Sequence, residues 1–349
     1  MANTTTRRPL PPLLVACLIV LAVVVPPTSP SGAAFTASTT NSASSFAADV
    51  LTPPTSVSGT ASASQVTLSW TPTADTYATG YRVFRSLSPA SGYTLVATVP
   101  GRATTGYTDP YVATQTTYYR VRAYRLSWTS VDSNTATVQP SYAQTVLGTA
   151  GLVSYWRLGT GTTATVVPDS KGTNTGTASG GFTPGVAGAI ADDAAASFNG
   201  STGKVNIGNP ANLQLWSGSI EVWFKTANAG TGYRELVSRQ SAYGLALRDN
   251  VLGFWDDDGG GWRTTGLTVD DNQWHHVVMT FQSGVTNGTR IYLDGALVLT
   301  DTLNIKDQTK NITIGAWNAE EFFAGTLDEV AIYSTVLSAA TVLAHYNAR

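Results

Sequence analysis

The chain has 349 residues, of which 12% are charged, and a formal net charge of −2. That length exceeds one ordinary domain and suggests two, while sparse charge with no long basic run argues against nucleic-acid binding. The 33 glycines and 34 aromatic residues favour all-β domains with many turns over a helix bundle.

Residues 1–34 carry Arg7 and Arg8, no acidic residue, an apolar run from Leu13 to Val25, and then Ser31-Gly32-Ala33-Ala34. A charged start, a short apolar centre and a small-residue exit describe a secretory signal, with signal peptidase as the partner during export. The apolar run is well short of the ~20 residues that span a bilayer, so no membrane span is expected in the mature chain. Leu14-Val15-Ala16-Cys17 also matches the outline of a lipoprotein cleavage site, but the apolar run continues past Cys17, where lipid attachment is expected at its end. Thr6-Arg7-Arg8-Pro9-Leu10 is a poor twin-arginine match. Without residues 1–34 the chain has no cysteine, and its balance becomes 18 basic against 22 acidic residues. A secreted chain without disulfides must depend on adequate apolar cores, which points to a bacterium more than to an animal matrix.

Residues 35–52 form a Ser/Thr-rich leader. Ala33-Ala34-Phe35-Thr36-Ala37-Ser38 and Ser45-Phe46 resemble exported bacterial surface and biofilm-matrix proteins that use a dedicated signal peptidase. A solvated low-complexity leader is the alternative.

A first sandwich is expected over 53–140. Val66, Leu68 and Trp70 alternate with polar residues, so one face of that strand is apolar. Tyr81 to Arg85 and Tyr118 to Tyr124 read as further strands, with turn signals at Gly80, Ser91-Gly92, Gly101 and Asp109-Pro110. Pro53-Pro54, Trp70 and Tyr119-Arg120-Val121-Arg122-Ala123 resemble a fibronectin type III domain. Thr117 stands where that family usually has its corner tyrosine, which puts the corner hydrogen bond in doubt. No Arg-Gly-Asp tripeptide occurs. Arg82, Arg85, Arg120 and Arg122 are expected to form a solvated sheet face, and the domain to act as a spacer.

The second domain is expected over 142–349. It opens with Gly151-Leu152-Val153-Ser154-Tyr155-Trp156 and continues through Ala195-Ala196-Ser197-Phe198-Asn199-Gly200 and Ser219-Ile220-Glu221-Val222-Trp223-Phe224. It closes with Trp274-His275-His276, Tyr292-Leu293-Asp294-Gly295 and Leu327-Asp328-Glu329-Val330-Ala331-Ile332-Tyr333. These ordered blocks resemble the laminin-G-like, concanavalin A-like jelly-roll family, which implies a β-sandwich used mostly for extracellular binding. Asp249-Asn250 and Asp294-Gly295 are two-residue hairpin signals, and Ser338 is an N-cap for a short closing helix.

The resemblance further implies a structural Ca²⁺ held by Asp169 and Asp328. Thr160 and Thr162 stand where relatives often carry an acid, which lowers the expected charge there. The alternative is that Asp169 caps a turn and Asp328 pairs with a nearby donor.

Trp255-Asp256-Asp257-Asp258-Gly259-Gly260-Gly261-Trp262 is the candidate ligand loop. Aromatic faces cover the C–H patches of sugars and carboxylates take their hydroxyls, and this loop has both. Its aspartates lack the alternating spacing of an EF-hand. The alternative is a solvated hairpin whose Trp residues pack inward. The fold analogy adds Tyr233, Arg234, Trp317 and Asn318 to the same rim.

Catalysis finds no support in the motifs: no Gly-x-Ser-x-Gly elbow, zinc signature, phosphate loop or Glu-x-Asp-x-x-Glu strand occurs. The expectation is an all-β, secreted, non-catalytic protein of the cell surface or matrix, binding extracellular glycan through the jelly roll. The alternative is a structural surface protein making protein contacts without glycan.

Overall fold

The computed structural model describes residues 50–349 except 192, 228, 229 and 259, together with the paired strands Thr36–Ser38 and Ser45–Ala47. The expected signal segment and Cys17 lie outside the described residues, as does most of the leader.

The first sandwich packs a sheet of Thr55–Ala61, Val66–Thr71 and Gly106–Asp109 on one of Ala136–Val138, Thr117–Arg125, Gly80–Ser86 and Thr94–Pro100. This is the arrangement that the fibronectin type III resemblance implies. Val66, Leu68 and Trp70 point inward as their alternation requires, and Trp70 meets Tyr81 edge-on at 5.3 Å. The Thr117 hydroxyl donates to the Gln115 carbonyl at 2.8 Å. Two residues on, Tyr119 donates to the buried Asp109 at 3.0 Å, where Arg85 also pairs at 2.8 Å. A tyrosine–carboxylate–arginine bridge thus stands beside the corner that lacks its tyrosine.

The arginine face differs from expectation. Arg85, Arg120 and Arg122 lie over Tyr111, Tyr93 and Phe84 at 3.9, 4.1 and 4.6 Å, and Arg120 and Arg122 share Asp132. Guanidinium planes stack on aromatic faces and fork onto carboxylates, so this surface is a ladder rather than a row of separately solvated charges.

A helix not expected from the sequence, Tyr142–Gly148, opens the second domain, with Ser141 as its N-cap. Beyond it are two large antiparallel sheets. The first contains, in spatial order, Phe182–Ala187, Ala194–Asn199, Ala324–Tyr333, Ser217–Lys225, His275–Gln282, Thr289–Leu293 and Ala296–Asp301, with Leu152–Trp156 also paired to Ala324–Tyr333. The second runs Val166–Val167, Gly176–Ser179, Lys204–Gly208, Ile312–Ile314, Tyr233–Arg239, Tyr243–Arg248, Val251–Asp256 and Gly261–Thr268. Between them lies the main core, including Trp156, Phe198, Phe224, Leu245, Phe254, Phe281 and Ile314.

Both two-residue hairpins form as expected. Asp249-Asn250 turn at φ of 50° and 69°, and Asp294-Gly295 at 51° and 80°, values that Asn, Asp and Gly tolerate. The closing helix, Ala339–Tyr346, is capped by Ser338, whose hydroxyl accepts from the Thr341 amide. This helix and Tyr142–Gly148 pack through Tyr142, Val146 and Val342 onto Trp223, Val278 and Tyr333 of the first sheet. That sheet is therefore covered on both faces, which explains why Ser217–Lys225 and Ala324–Tyr333 are almost continuously buried. Neither helix packs on the outer face of the second sheet.

Candidate ligand pocket

A cavity of about 300 Å³ opens on that outer face. Its geometry follows from strand alternation. Phe254 faces the core, so Trp255 must face away from it and is 47% exposed. Leu236 faces the core, and Tyr233 and Glu235 lie on the outer side. Tyr233 meets Trp255 and Trp262 edge-on at 5.7 and 5.5 Å. Trp255 and Trp262 are direct cross-strand partners in the hairpin. Trp317 and Glu321 close the cavity from the loop after Ile312–Ile314, and Ser238, Arg239, Gly244 and Asp257 are also in its wall.

The three aspartates of the loop separate. Asp256 points inward with Phe254 and is fully buried. It accepts from the amide and side chain of Asn304 at 3.1 and 3.3 Å and from Arg263 at 3.5 Å. It is a structural strut, because period-two alternation puts it on the core side of the strand. Asp257 and Asp258 are exposed, and Asp257 accepts from the Trp255 indole at 2.8 Å, which fixes the ring's orientation. Trp262 is half-buried behind Tyr233 and does not line the cavity.

Of the other expected rim residues, Tyr233 and Trp317 line the cavity and two do not. Arg234 is buried and bonded to Asn250, on the opposite face of its strand from Tyr233. Asn318 occupies a turn at φ 54°, and its carbonyl accepts from Lys204 at 2.7 Å.

Glu235 and Glu321 were missed. Glu235 is 7% exposed, and burial first, then the nearby Glu321, pushes its carboxyl well above the ordinary range. Burial, with Glu320 beside it, raises Glu321 as well. The signal for Glu235 was present in Tyr233-Arg234-Glu235, where alternation places the acid on the same face as the tyrosine. Glu321 comes from a distant loop and carried no such signal.

The two expected calcium ligands make separate contacts among the described residues. Asp169 caps a turn: Oδ1 accepts from the amides of Tyr155, Lys171 and Gly172, and Oδ2 from that of Asn174, at 2.9 to 3.1 Å. The acids whose oxygens lie within 4.8 Å of one another are instead Asp193, Asp328 and Glu329. Arg157 inserts its guanidinium among them, pairing with Asp193 and, at 3.4 Å, with Glu329. Tyr155 donates to Glu329 and Thr160 to Asp193. Asp328 accepts from the Ala189 amide at 2.9 Å through Oδ2, and its Oδ1 has no donor among the described residues. Ca²⁺ takes six to eight oxygens. Three acids already holding a guanidinium do not fit it.

Residues 199–343 match the family model described as the concanavalin A-like lectin/glucanases superfamily. These residues carry a concanavalin A-like jelly-roll domain. Among solved structures, the chain is similar to the binding domain of Paraclostridial Mosquitocidal Protein 1, at 18% identity and a TM-score of 0.44, and to domain 4 of AbnA, at a TM-score of 0.43. The first match covers 56% of this chain and 52% of that one, so the chain spans about half of that binding domain. Domain 4 of AbnA, an extracellular arabinanase of Geobacillus stearothermophilus solved with arabinotriose, is 19% identical, covering 56% of this chain and 98% of that one. An Fn3-like protein from Clostridium thermocellum is 30% identical over 26% of this chain and 94% of that one, with a TM-score of 0.24. No curated protein matches the chain. No helix among the described residues is long and apolar enough to cross a membrane.

Proposed function

We propose that the chain is an extracellular, non-catalytic binding protein whose jelly roll holds carbohydrate between Tyr233, Trp255 and Trp317. The observation that carries this reading is Trp255, a half-exposed indole locked by Asp257 above a cavity that also presents carboxyl groups. Large apolar rings with a few convergent polar groups are what a small-molecule pocket requires, and a sugar uses both parts. The first sandwich serves as a spacer that sets the jelly roll away from whatever surface retains the chain.

The test is a glycan array probed with the full chain, followed by titration of each hit against the wild type and Trp255→Ala. Saturable binding lost in the variant, with oligosaccharide recovered intact, is the expected result. A blank array from folded protein overturns the carbohydrate reading, and shortened oligosaccharide overturns its non-catalytic part.

Protein contact is a second role, supported by Leu126 and Trp128, which are 81% and 51% exposed at one hairpin of the first sandwich.

A further inference from the structure

We propose that the pocket selects a glycan bearing a free, protonated amine, an unacetylated amino sugar, with Glu235 as the group that receives the ammonium. The proposal rests on the carbohydrate reading above and narrows it to a ligand class.

Three observations converge on this choice. First, Glu235 is more than nine-tenths buried and lines the cavity, and among the described residues its carboxylate is acted on by burial and the Glu321 charge rather than by a hydrogen-bond donor. Buried polar groups are almost always satisfied, so an acceptor left open in a cavity wall is aimed at something that enters.

Second, the cavity is acidic and lacks an available cation. Glu235, Glu321 and Asp257 line it, and the one basic residue in its wall is Arg239. The Arg239 guanidinium is buried and held by the Leu213 and Gln308 carbonyls and by Asn209. A neutral sugar would donate hydroxyls to these acids but would leave the Glu235–Glu321 repulsion in place. An ammonium removes it and supplies charge-assisted hydrogen bonds.

Third, Trp255 and Trp317 line the cavity beside Tyr233, whose own ring already carries the Arg248 guanidinium at 5.1 Å. Indole faces attract a cation as well as covering the apolar side of a sugar ring. An N-acetyl group would cancel the charge and place a methyl against the carboxylates.

The same arrangement predicts a linkage to protons. Burial first, then a neighbouring carboxyl, raises both glutamic acids in the empty cavity, so an ammonium, which stabilises their charged forms, is linked to proton release.

The test is calorimetric titration of the full chain at pH 6 to 7 with three β-1,4-linked tetrasaccharides of matched length, built from glucosamine, N-acetylglucosamine or glucose. The glucosamine oligomer should bind about tenfold or more tightly than the other two, the weight of one hydrogen bond to a charged group. Its binding should release protons, seen as a heat that depends on the buffer, and should weaken with salt. Glu235→Gln should lose that preference and keep any weak binding of the glucose oligomer. Glu321→Gln serves as a second variant, and melting curves confirm that each is folded.

Equal affinity for the glucosamine and glucose oligomers overturns the amine preference and leaves the carbohydrate reading intact. Binding of other array glycans with none for glucosamine also overturns it. Capture of lysine-rich peptide in place of any glycan overturns both.

Discussion

The carboxylate of Glu221 accepts from His345 Nδ1 at 2.9 Å, a contact between strand Ser217–Lys225 and the closing helix that is sealed from water. The same carboxylate accepts from the Tyr142 hydroxyl at 2.8 Å, the Tyr333 hydroxyl at 2.6 Å and His276 Nε2 at 2.7 Å. One buried acid therefore ties both helices to the first sheet. Glu221→Gln should destabilise the jelly roll by about 3–5 kcal/mol, the usual cost of breaking a buried ion pair by removing one partner. Urea denaturation measures it, and a loss under 1 kcal/mol would show that the helices hold without the network.

Stability should also follow pH through this pair. Burial would raise the Glu221 carboxyl, but His345 and His276 outweigh it and hold it well below its ordinary 4.5. Burial would lower His345, but Glu221 outweighs that and raises it above 6.5. The Glu221 contribution is present above pH 4.5 and fades as pH falls through its depressed value. The His345 contribution is present below pH 6.5 and fades as pH rises through its raised value. The contribution of this pair to melting temperature should therefore be greatest between pH 4.5 and 6.5 and decline above it, so that His345→Gln differs most from the wild type in that window. Identical profiles for variant and wild type would remove the pair from the explanation.

Binding variants should divide by face. Trp255→Ala should weaken glycan binding by about 30-fold, equivalent to a hot-spot aromatic of ~2 kcal/mol, with little change in melting temperature. Asp256→Ala should act oppositely, losing about 1–3 kcal/mol of stability because Asn304 and Arg263 lose a buried acceptor. Paired titration and melting of the two variants decide it. Asp256→Ala that stays fully stable and loses only the ligand would return Asp256 to the binding surface.

Calcium should leave the melting temperature of the wild type unchanged relative to chelator, since Arg157 already sits among Asp193, Asp328 and Glu329. Arg157→Ala should lower it, and Ca²⁺ should restore part of that loss by replacing the missing positive charge. A Ca²⁺-dependent rise in the wild type would sink this account.

Gly315→Ala should cost more than about 1 kcal/mol, because the residue sits at φ 79° and a Cβ there would lie 2.4 Å from the Phe198 ring. Gly315 leads from strand Ile312–Ile314 into the loop of Trp317 and Glu321, so ligand binding should fall with stability. Thermal melting and titration of the variant measure both, and an unchanged melting temperature would refute the clash.

The jelly roll was legible in the sequence because its signals are local. Strand alternation, the turns Asp249-Asn250 and Asp294-Gly295, and the Ser338 cap depend on residues a few positions apart, and each stands where expected. The helix Tyr142–Gly148 escaped notice because it is only seven residues long and is held by burial of Tyr142, Ala143 and Val146 rather than by its own periodicity. The calcium pair illustrates another limit. Asp169 and Asp328 each stand in a recognisable motif, but whether two carboxylates converge depends on how distant strands register.

Composition and patterning by themselves thus pointed to an all-β, two-sandwich chain and placed Trp255 and Asp257 among the candidates, while the family resemblance added Tyr233 and Trp317. Only the tertiary structure decided that Asp256, Arg234, Trp262 and Asn318 stay out of the cavity and that Glu235 and Glu321 enter it. The physical reason is that hydrophobic alternation acts along one strand, whereas a pocket is assembled from loops and strands far apart in sequence, by packing that no local pattern encodes.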